Sequence, residues 1–320
     1  MAARARRRGG GRRQVSASIR HRLEYAAVLG IRALARTLPR RVSLAAGGAL
    51  GALFHRLHGA RRELAVANLR AAFPARTEAD CRDVLRATFA QLGRHVVDFL
   101  CFDAMRLEQM LPLVEIEGAE HVRRATARGR GVMYFAGHFG SWELQIMVHA
   151  LRFQPIVMVA RTLDNPLLEG LIERIRTRVG TRVLPRQGAL RELLRELRRG
   201  GSVGMMIDQH IQDRSAVDVD FFGRPASTTS AIASLALHTG AAIVPVFALP
   251  LPGNRYRLIY EAPITLPDAG DPDAVRICTQ RCTDLLERYV RRDPHLWLWM
   301  HRRWRAPAPA ARSGSATVSG

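Results

Sequence analysis

Residues 131–143 read GVMYFAGHFGSWE, an uncharged apolar run that leads directly into glycine, histidine and an acidic residue. The apolar run is short and bounded by glycines, which is typical of a buried strand. Gly137 and Gly140 permit a tight turn after it, and Ser141 is a suitable N-cap for a following helix. The stretch therefore predicts a strand, a turn and a helix, with His138 in the turn.

The same pattern recurs along the chain, where short apolar runs alternate with amphipathic segments. Such alternation favours an α/β fold whose mostly parallel sheet is covered by helices on both faces. One late segment alternates apolar and polar residues and predicts an added antiparallel strand, which makes the sheet mixed. The predicted strands are 131–136, 155–159, 203–207, 242–249 and 255–260, and the predicted helices of this region are 141–150, 165–178, 187–199, 227–239 and 273–291.

Polar residues follow three of these strands, where open α/β sheets bind ligands. A histidine in this position is suited to act as a general base. Glu143 is its nearest acidic neighbour, and five residues in a regular helix leave two side chains roughly 140° apart. The two groups meet only if His138 lies in the turn and Glu143 in the first helical turn, where the carboxylate would hold the imidazole tautomer. The alternative is a structural histidine that caps a turn.

The reaction type follows from what surrounds this histidine. No serine or cysteine stands nearby in a nucleophile elbow, so direct deprotonation of an acceptor hydroxyl is favoured over a covalent acyl-enzyme. The exposed amides of the first helical turn are candidates to stabilise developing negative charge.

Net charge indicates an anionic partner. The 320 residues include 49 basic side chains, all of them arginine, against 28 acidic ones, a formal net charge of +21. That balance is compatible with nucleic acid, a membrane surface or an acidic substrate. Residues 1–22 contain eight arginines and no acid, which predicts a basic disordered arm. Four cysteines without a CxxC pair exclude a disulfide scaffold.

Two apolar segments follow the basic start, Leu23–Leu38 and Val42–Phe54. The first is interrupted by arginines and the second is shorter than the roughly 20 residues that a bilayer crossing needs. Both are predicted to be helices that lie in or against a membrane interface, with a buried helical hairpin as the alternative. Together with a helix over 77–102 they predict a membrane-associated helical region at 23–112, an α/β domain at 113–305 and a disordered tail at 306–320.

The segment His138–Glu143 (HFGSWE) resembles the H-x4-[DE] signature of membrane acyltransferases, and more closely the HFGxWE form of the lipid A biosynthesis acyltransferases. The ordered set of further similar segments makes the resemblance specific, and it covers about residues 25–305. These segments are 68–74 (NLRAAFP), 161–166 (RTLDNP), Asp208–Gln209, 221–228 (FFGRPAST) and 297–304 (WLWMHRRW).

The resemblance implies a glycerolipid acyltransferase-like fold and transfer of a fatty acyl chain from a thioester to a hydroxyl of a lipid A precursor. It implies His138 as the base, Glu143 as its orienting partner and no metal or redox cofactor, with acyl carrier protein (ACP) or coenzyme A carrying the acyl group. Arg161 is expected to bind a phosphate or the oxyanion, and Asp208 to orient Arg161 or contact the acceptor; their alternatives are a solvated arginine and a structural turn. The expected substrate-binding residues are Arg161, Asp208, Asn165 and Gln209.

The implied partners are ACP, anionic membrane lipids and a glycolipid acceptor, at the bacterial inner membrane with the active site facing the cytoplasm. A second possibility keeps the chemistry and changes the substrates to a phosphatidylinositol mannoside and acyl-CoA. A third is a basic nucleic-acid-binding protein, in which the aromatic and basic residues of 297–304 would contact bases and phosphates. A membrane interface, or packing beneath the active site, is the favoured role of that segment.

Overall fold

A computed structural model describes residues 18–212 and 215–304 of the protein. The helices are α1 (Ile19–Thr37), α2 (Arg40–Leu57), α3 (Gly59–Ala72), α4 (Glu78–Cys101), α5 (Leu107–Met110), α6 (Ala119–Ala127), α7 (Trp142–Arg152), α8 (Pro166–Thr177), α9 (Ala189–Arg198), α10 (Ala231–Thr239) and α11 (Ala274–Arg292). The strands are β1 (Val114–Glu117), β2 (Val132–Ala136), β3 (Ile156–Ala160), β4 (Arg182–Pro185), β5 (Ser202–Met206), β6 (Ala216–Asp220), β7 (Pro225–Thr229), β8 (Ala242–Leu251) and β9 (Arg255–Tyr260).

A seven-stranded sheet organises the fold, with strand order β1-β9-β8-β2-β5-β3-β4. Its neighbouring strands run parallel except for the β8–β9 pair, which is antiparallel. The mixed, mostly parallel sheet and the antiparallel strand at 255–260 are therefore confirmed. Strands β6 and β7 form a separate antiparallel pair.

The central strand β2 shows how helices cover both faces of the sheet. All five of its residues are buried. Met133 and Phe135 belong to an apolar layer shared with α3, α9, α10 and α11, whereas Val132, Tyr134 and Ala136 belong to a second layer shared with α6, α7 and α8. Because alternate residues of a strand point to opposite faces, a strand buried on both sides reads as the continuous apolar run seen in the sequence.

Several short elements differ from the sequence prediction. Residues 225–229 form β7, so the predicted helix over 227–239 begins only at Ala231. Strands β1, β4 and β6 and helix α6 were not predicted. Their sequences carry charged residues or have too few residues to show a periodic pattern. Strand β1 pairs with β9 and β4 with β3, whereas β6 pairs with the neighbouring β7.

Helices α1 and α2 coincide with the two predicted interfacial helices. α1 has no buried residue, and its Ile19 and Leu23 are 79% and 66% exposed. Because α1 begins at Ile19, the expected disorder is wrong for residues 18–22; residues 1–17 and 305–320 lie outside the described part of the chain. In the part described, no helix has both the length and the apolar character that a bilayer crossing requires.

Helix α2 is joined to the rest of the protein through α4. The two helices approach so closely that a Cβ atom on Gly93 would lie 2.0 Å from the Gly47 carbonyl oxygen, which only glycine permits. At the start of α2, Arg40 donates to the buried carboxylate of Asp98 at 2.9 Å, and Tyr256 of β9 donates to the same carboxylate. The N-terminal helices are thereby attached to the edge of the sheet.

Candidate active site

His138 lies in the turn between β2 and α7, as predicted. The turn passes over β8, because Ser141 donates its amide to the Ala248 carbonyl at 2.8 Å. Gly140 has a φ of 63°, and a Cβ atom there would lie 2.1 Å from the same carbonyl oxygen, so this position requires glycine. The His138 carbonyl in turn accepts the amide of Leu298 at 3.1 Å. The backbone of His138 is thus held from two sides.

The carboxylate that bonds to His138 is Asp208, not Glu143. Oδ1 of Asp208 lies 2.8 Å from His138 Nδ1, and Oδ2 accepts the His138 backbone amide at 2.7 Å. The reason is strand register: Ala136 of β2 pairs with Met206 of β5, so the residues two positions beyond each strand lie side by side. The expected His138–Glu143 hydrogen bond is therefore wrong, and so is the expectation that Asp208 orients Arg161.

The pKa values of this pair reflect its burial and its charge. Burial by itself raises the pKa of Asp208, but the charge of His138 and the hydrogen bonds from His138 and Trp297 outweigh burial and lower that pKa to about 2. Burial by itself lowers the pKa of His138, but the Asp208 carboxylate and, to a lesser degree, the Glu143 carboxylate raise it above its ordinary value. The carboxylate therefore stays ionised while the imidazole accepts a proton.

The orientation of the imidazole leaves its second nitrogen available to a substrate. With Nδ1–H donating to Asp208, the lone pair of Nε2 points away from the carboxylate. Gln209 lies beside it, with its amide nitrogen 3.5 Å from His138 Nε2. Both side chains line a cavity of about 1050 Å³. An imidazole with this tautomer at a cavity wall is suited to general-base chemistry.

The C-terminal segment packs directly beneath the histidine. Trp297 Nε1 donates to Oδ2 of Asp208 at 2.9 Å, and both side chains are buried. Arg303 is 1% exposed and donates to the Ser227 carbonyl at 2.7 Å and to the Thr228 hydroxyl. Burial lowers the pKa of Arg303 to about 10, although the charge of Asp208 acts to raise it. This placement supports the predicted packing role of 297–304.

Asn68 and Phe73 give the segment 68–74 a structural role, because both contact the C-terminal segment. Its side-chain amide donates to the carbonyls of Trp299 and His301 at 2.9 and 2.8 Å. Phe73 packs against Trp299, with ring centroids 5.9 Å apart. Helix α3 therefore holds the C-terminal segment in place under the site, across more than half of the chain.

Glu143 forms a second buried ion pair at the cavity wall. Arg176 of α8 donates to both of its carboxylate oxygens, at 3.0 and 2.5 Å. Trp142 directly precedes Glu143 in the chain. Its ring centroid lies 3.9 Å from that of His95 and 5.4 Å from that of His138. Glu143 therefore influences His138 through its charge and through the position of α7, and not through a hydrogen bond.

The remaining predicted substrate-binding residues divide into two groups. Arg161 lines the cavity and its side chain is 85% exposed, with Asp164 at 3.4 Å. Asn165 is buried: its oxygen caps α8, and its nitrogen donates to the His21 carbonyl and to Glu24 at 2.9 Å. The expected substrate contact of Asn165 is therefore corrected to a structural role, whereas those of Arg161 and Gln209 stay predictions.

The cavity combines an apolar interior with polar groups at its edge. Apolar side chains come from α7, α8, α9, α10 and the strands β3 and β5, which suits a hydrocarbon chain. The amides of Gly140 and Ser141 already donate to the Leu296 and Ala248 carbonyls, so they are not oxyanion donors. No group of three or more potential metal-ligating side chains occurs within residues 18–212 and 215–304. The apolar lining residues include Ile146, Met158, Ile172, Leu193, Leu194, Met205 and Leu235.

The sequence predicted packing beneath the active site as one of two roles of 297–304, but it did not single out Trp297 or Arg303 within that segment, and it gave Arg176 no role. The alternation of tryptophan and arginine in 297–304 was the available signal for the first two, and Trp297 is among the most buried side chains of the protein. Arg176 is one of many arginines on amphipathic helices, so nothing in its local sequence distinguishes it.

Comparison with known proteins shows the family of the chain. The family model for bacterial lipid A biosynthesis acyltransferase matches residues 12–306. The lipid A biosynthesis lauroyltransferase of Escherichia coli (strain K12) is 27% identical over 279 residues, covering 87% of this chain and 90% of the relative. The myristoyltransferase of the same strain is 24% identical over 285 residues, 88% of each chain. The phosphatidylinositol mannoside acyltransferase of Mycolicibacterium smegmatis is 27% identical over 230 residues, 69% of this chain and 72% of the relative. The protein belongs to the bacterial lipid A biosynthesis acyltransferase family and is an acyltransferase.

Proposed function

We propose that the protein transfers a fatty acyl chain from an acyl thioester of ACP to a hydroxyl of a lipid A precursor, with His138 as the general base. The observation that carries the proposal is the bond between His138 and Asp208, which leaves Nε2 facing a large apolar cavity. Family membership supplies the reaction class and the glycolipid class of the acceptor.

The proton moves in a closed cycle. Nε2 of His138 takes the proton of the acceptor hydroxyl while the hydroxyl oxygen bonds to the thioester carbonyl carbon. The tetrahedral intermediate then expels the carrier thiolate, which takes the same proton back from Nε2, so the ester forms as the C–S bond breaks. Asp208 stays ionised throughout, because its pKa is about 2, and it stabilises the transient imidazolium.

The side-chain amide of Gln209 is the proposed donor to the oxyanion. Its nitrogen lies 3.5 Å from His138 Nε2, beside the position where the attacking oxygen must sit. A neutral donor fixed at that distance stabilises charge that appears only in the transition state. Arg161, exposed at the same cavity, is proposed to contact a phosphate of the acceptor or of the donor.

Membrane association is proposed for the exposed apolar face of α1 and α2. Ile19, Leu23 and Leu57 are each at least 66% exposed, and arginines flank them. Asn165 ties α1 to the loop at the cavity edge, where Leu163 is 43% exposed. An anionic inner-membrane leaflet fits both the apolar residues and the net charge of +21, and we place the active site on its cytoplasmic side.

The catalytic part of the proposal is tested with His138→Ala in an assay that follows acyl transfer from acyl-ACP to a lipid A precursor. We expect a loss of about 10²- to 10⁴-fold in kcat, the range that general-base catalysis contributes. His121→Ala is the matched control, because His121 lies on α6 outside the cavity. Transfer by His138→Ala at the rate of the unmodified enzyme would rule out the proposed base.

The membrane part is tested by flotation with vesicles containing anionic lipid. Leu23→Glu combined with Leu57→Glu is expected to reduce the floating fraction, because both changes place charge on the exposed apolar face. Val96→Glu is the control, because Val96 is an exposed apolar residue (44%) of α4 that does not line the cavity. Equal flotation of both variants would contradict the proposed membrane-facing surface.

A phosphatidylinositol mannoside acceptor with acyl-CoA as donor is the second candidate, supported by the similarity to the mycobacterial acyltransferase. Mass spectrometry of lipids from a deletion strain separates the two: loss of a secondary acyl chain on lipid A supports the first candidate, and unchanged lipid A contradicts it. The nucleic-acid alternative predicts a steeply salt-dependent affinity for DNA or RNA, which a titration at two salt concentrations tests directly.

A further inference from the structure

A small second cavity adjoins the large one behind the catalytic histidine. It measures about 40 Å³ and lies where α7 packs over β2, β3 and β5. The two cavities lie next to each other and share several lining side chains. Methionines are prominent among them, and their flexible side chains open an apolar passage at little cost. The shared residues are Ile146, Met158, Val159, Met205 and Met206.

Two buried polar atoms of α7 face this inner cavity without a hydrogen-bond partner, as does the hydroxyl of Tyr134 on β2. Among the described residues, neither Gln145 Oε1 nor His149 Nε2 has a hydrogen-bond partner, and the two side chains are 5% and 1% exposed. Both line the inner cavity, one turn apart on the same face of α7. Orphaned polar atoms are rare in protein interiors and normally bind ordered water.

The imidazole of His149 is a neutral group at every physiological pH. Burial lowers its pKa to about 3, and its Nδ1 lies 3.0 Å from the Tyr260 hydroxyl. The inner cavity has room for about two or three water molecules, which Gln145 and His149 are placed to bind. A polar end therefore terminates an otherwise apolar passage.

We propose that Gln145 and His149 set the maximum length of the acyl chain that the enzyme accepts, an inference that rests on the proposed acyl transfer. The chain extends from His138 along α7 through the apolar lining and stops at the water bound by these two residues. A longer chain would displace that water and leave both polar atoms without a partner. Residue 149 lies about 10 Å further along the α7 axis than Trp142, which contacts His138, so the limit acts at a distance from the chemistry.

Two substitutions are expected to change the maximum chain length in opposite directions. Gln145→Leu removes one of the orphaned atoms, keeps a similar volume and allows an apolar chain to reach further. Gly204→Ala narrows the inner cavity, because its Cβ would lie 2.9 Å from Ile156 Cγ2. Met147→Leu is the matched control, since Met147 is buried on the same helix but does not line either cavity.

The experiment measures two quantities over a homologous series of saturated chains, from shorter than lauroyl to longer than palmitoyl: kcat/KM for transfer from ACP thioesters, and affinity for the free fatty acids. Gln145→Leu is expected to raise the preference for the next longer chain about tenfold in both measurements. This is the lower end of the discrimination that one or two methylenes provide. Gly204→Ala is expected to shift the optimum of kcat/KM and of affinity towards shorter chains. Met147→Leu is expected to change neither optimum.

An unchanged chain-length profile in correctly folded Gln145→Leu, in both series, overturns the inference. Folding is checked by Tm, which should not fall for Gln145→Leu because an unsatisfied polar group has been removed. If no chain is transferred by any form of the enzyme, the proposed function fails, and the fatty-acid affinities alone then decide the inference about chain length.

Discussion

Two buried carboxylates lie near the same cavity, of which only Glu143 lines the wall, and each is paired with a basic side chain of a different kind. Asp208, at the end of β5, bonds to His138, whereas Glu143, at the start of α7, bonds to Arg176. Burial alone lowers the pKa of Arg176, but Glu143 more than compensates, so this guanidinium stays charged. Only the Asp208 pair contains a group that can give and take a proton near neutral pH. The proposed proton transfer and the structural ion pair therefore use different carboxylates, although Glu143 lies closer to His138 in the sequence.

The largest expected effect separates the two carboxylates directly. Asp208→Asn should lower kcat about 10³- to 10⁴-fold, because a neutral amide does not hold the reactive tautomer or stabilise the imidazolium. Asp218→Asn, on the exposed side of β6, is the control and should leave kcat unchanged. Initial rates of acyl transfer give the answer. Near-normal turnover by Asp208→Asn, combined with a large loss in Glu143→Gln, would reverse the assignment.

The second effect concerns stability. Arg176→Met should destabilise the fold by about 3–5 kcal/mol, because it leaves Glu143 charged and buried without a partner. Combining it with Glu143→Gln should recover most of that loss, since no buried charge remains. Urea unfolding measures each step of this double-mutant cycle. Arg82→Met, which breaks the exposed pair with Glu78, should change the free energy of unfolding by less than about 1 kcal/mol. Equal costs for the buried and the exposed arginine would contradict this account.

A third, smaller effect concerns the tryptophan beneath the site. Trp297→Phe removes the donor to Asp208 while keeping an aromatic ring in the core. A hydrogen bond to a charged group contributes about 1.5–3 kcal/mol, so kcat should fall about tenfold or somewhat more. Trp299→Phe is the matched control, because its Nε1 donates to the Pro294 carbonyl instead. A similar loss of kcat in both variants would indicate a packing effect only.

The smallest effect is a shift in pH dependence. His138 must be neutral to act as a base, so kcat/KM should fall as the pH drops through its pKa, with a midpoint above the ordinary value of 6.5. In Asp208→Asn the midpoint should move to lower pH, because the main charge that raises the pKa is gone while burial still lowers it. Glu143→Gln should move it in the same direction by less. A midpoint that stays in place in both variants would exclude His138 as the titrating group.

Local patterns predicted most of the sheet, because buried strands and amphipathic helices have distinct periods. The strands at 132–136, 156–160 and 242–251, and the helices α7, α8 and α9, follow the predicted bounds closely. Short strands such as Arg182–Pro185 were missed because four residues carry too little pattern. The position of the proposed base was also predictable, since a histidine between two glycines at a strand end is a local feature.

The partner of that histidine was not predictable from spacing. Asp208 stands 70 residues away, and it reaches His138 because β2 and β5 are parallel neighbours in matching register. Glu143 was the nearest acid in the chain, but the direction in which α7 leaves the turn brings its carboxylate to Arg176. Asn165 likewise matched a segment of the family, although its side chain serves as a helix cap and a tie to α1.

The sequence by itself determined the α/β class, the family resemblance, the place of the candidate base His138 and the excess of positive charge, since each depends on composition or on residues close together in the chain. Only the tertiary structure decided which carboxylate orients His138, which arginine neutralises Glu143, how Trp297 supports Asp208 and where the inner cavity ends. The physical reason is that hydrogen bonds and ion pairs act over about 3 Å. Strand order and register decide which groups come that close, and neither can be read from a short segment of the chain.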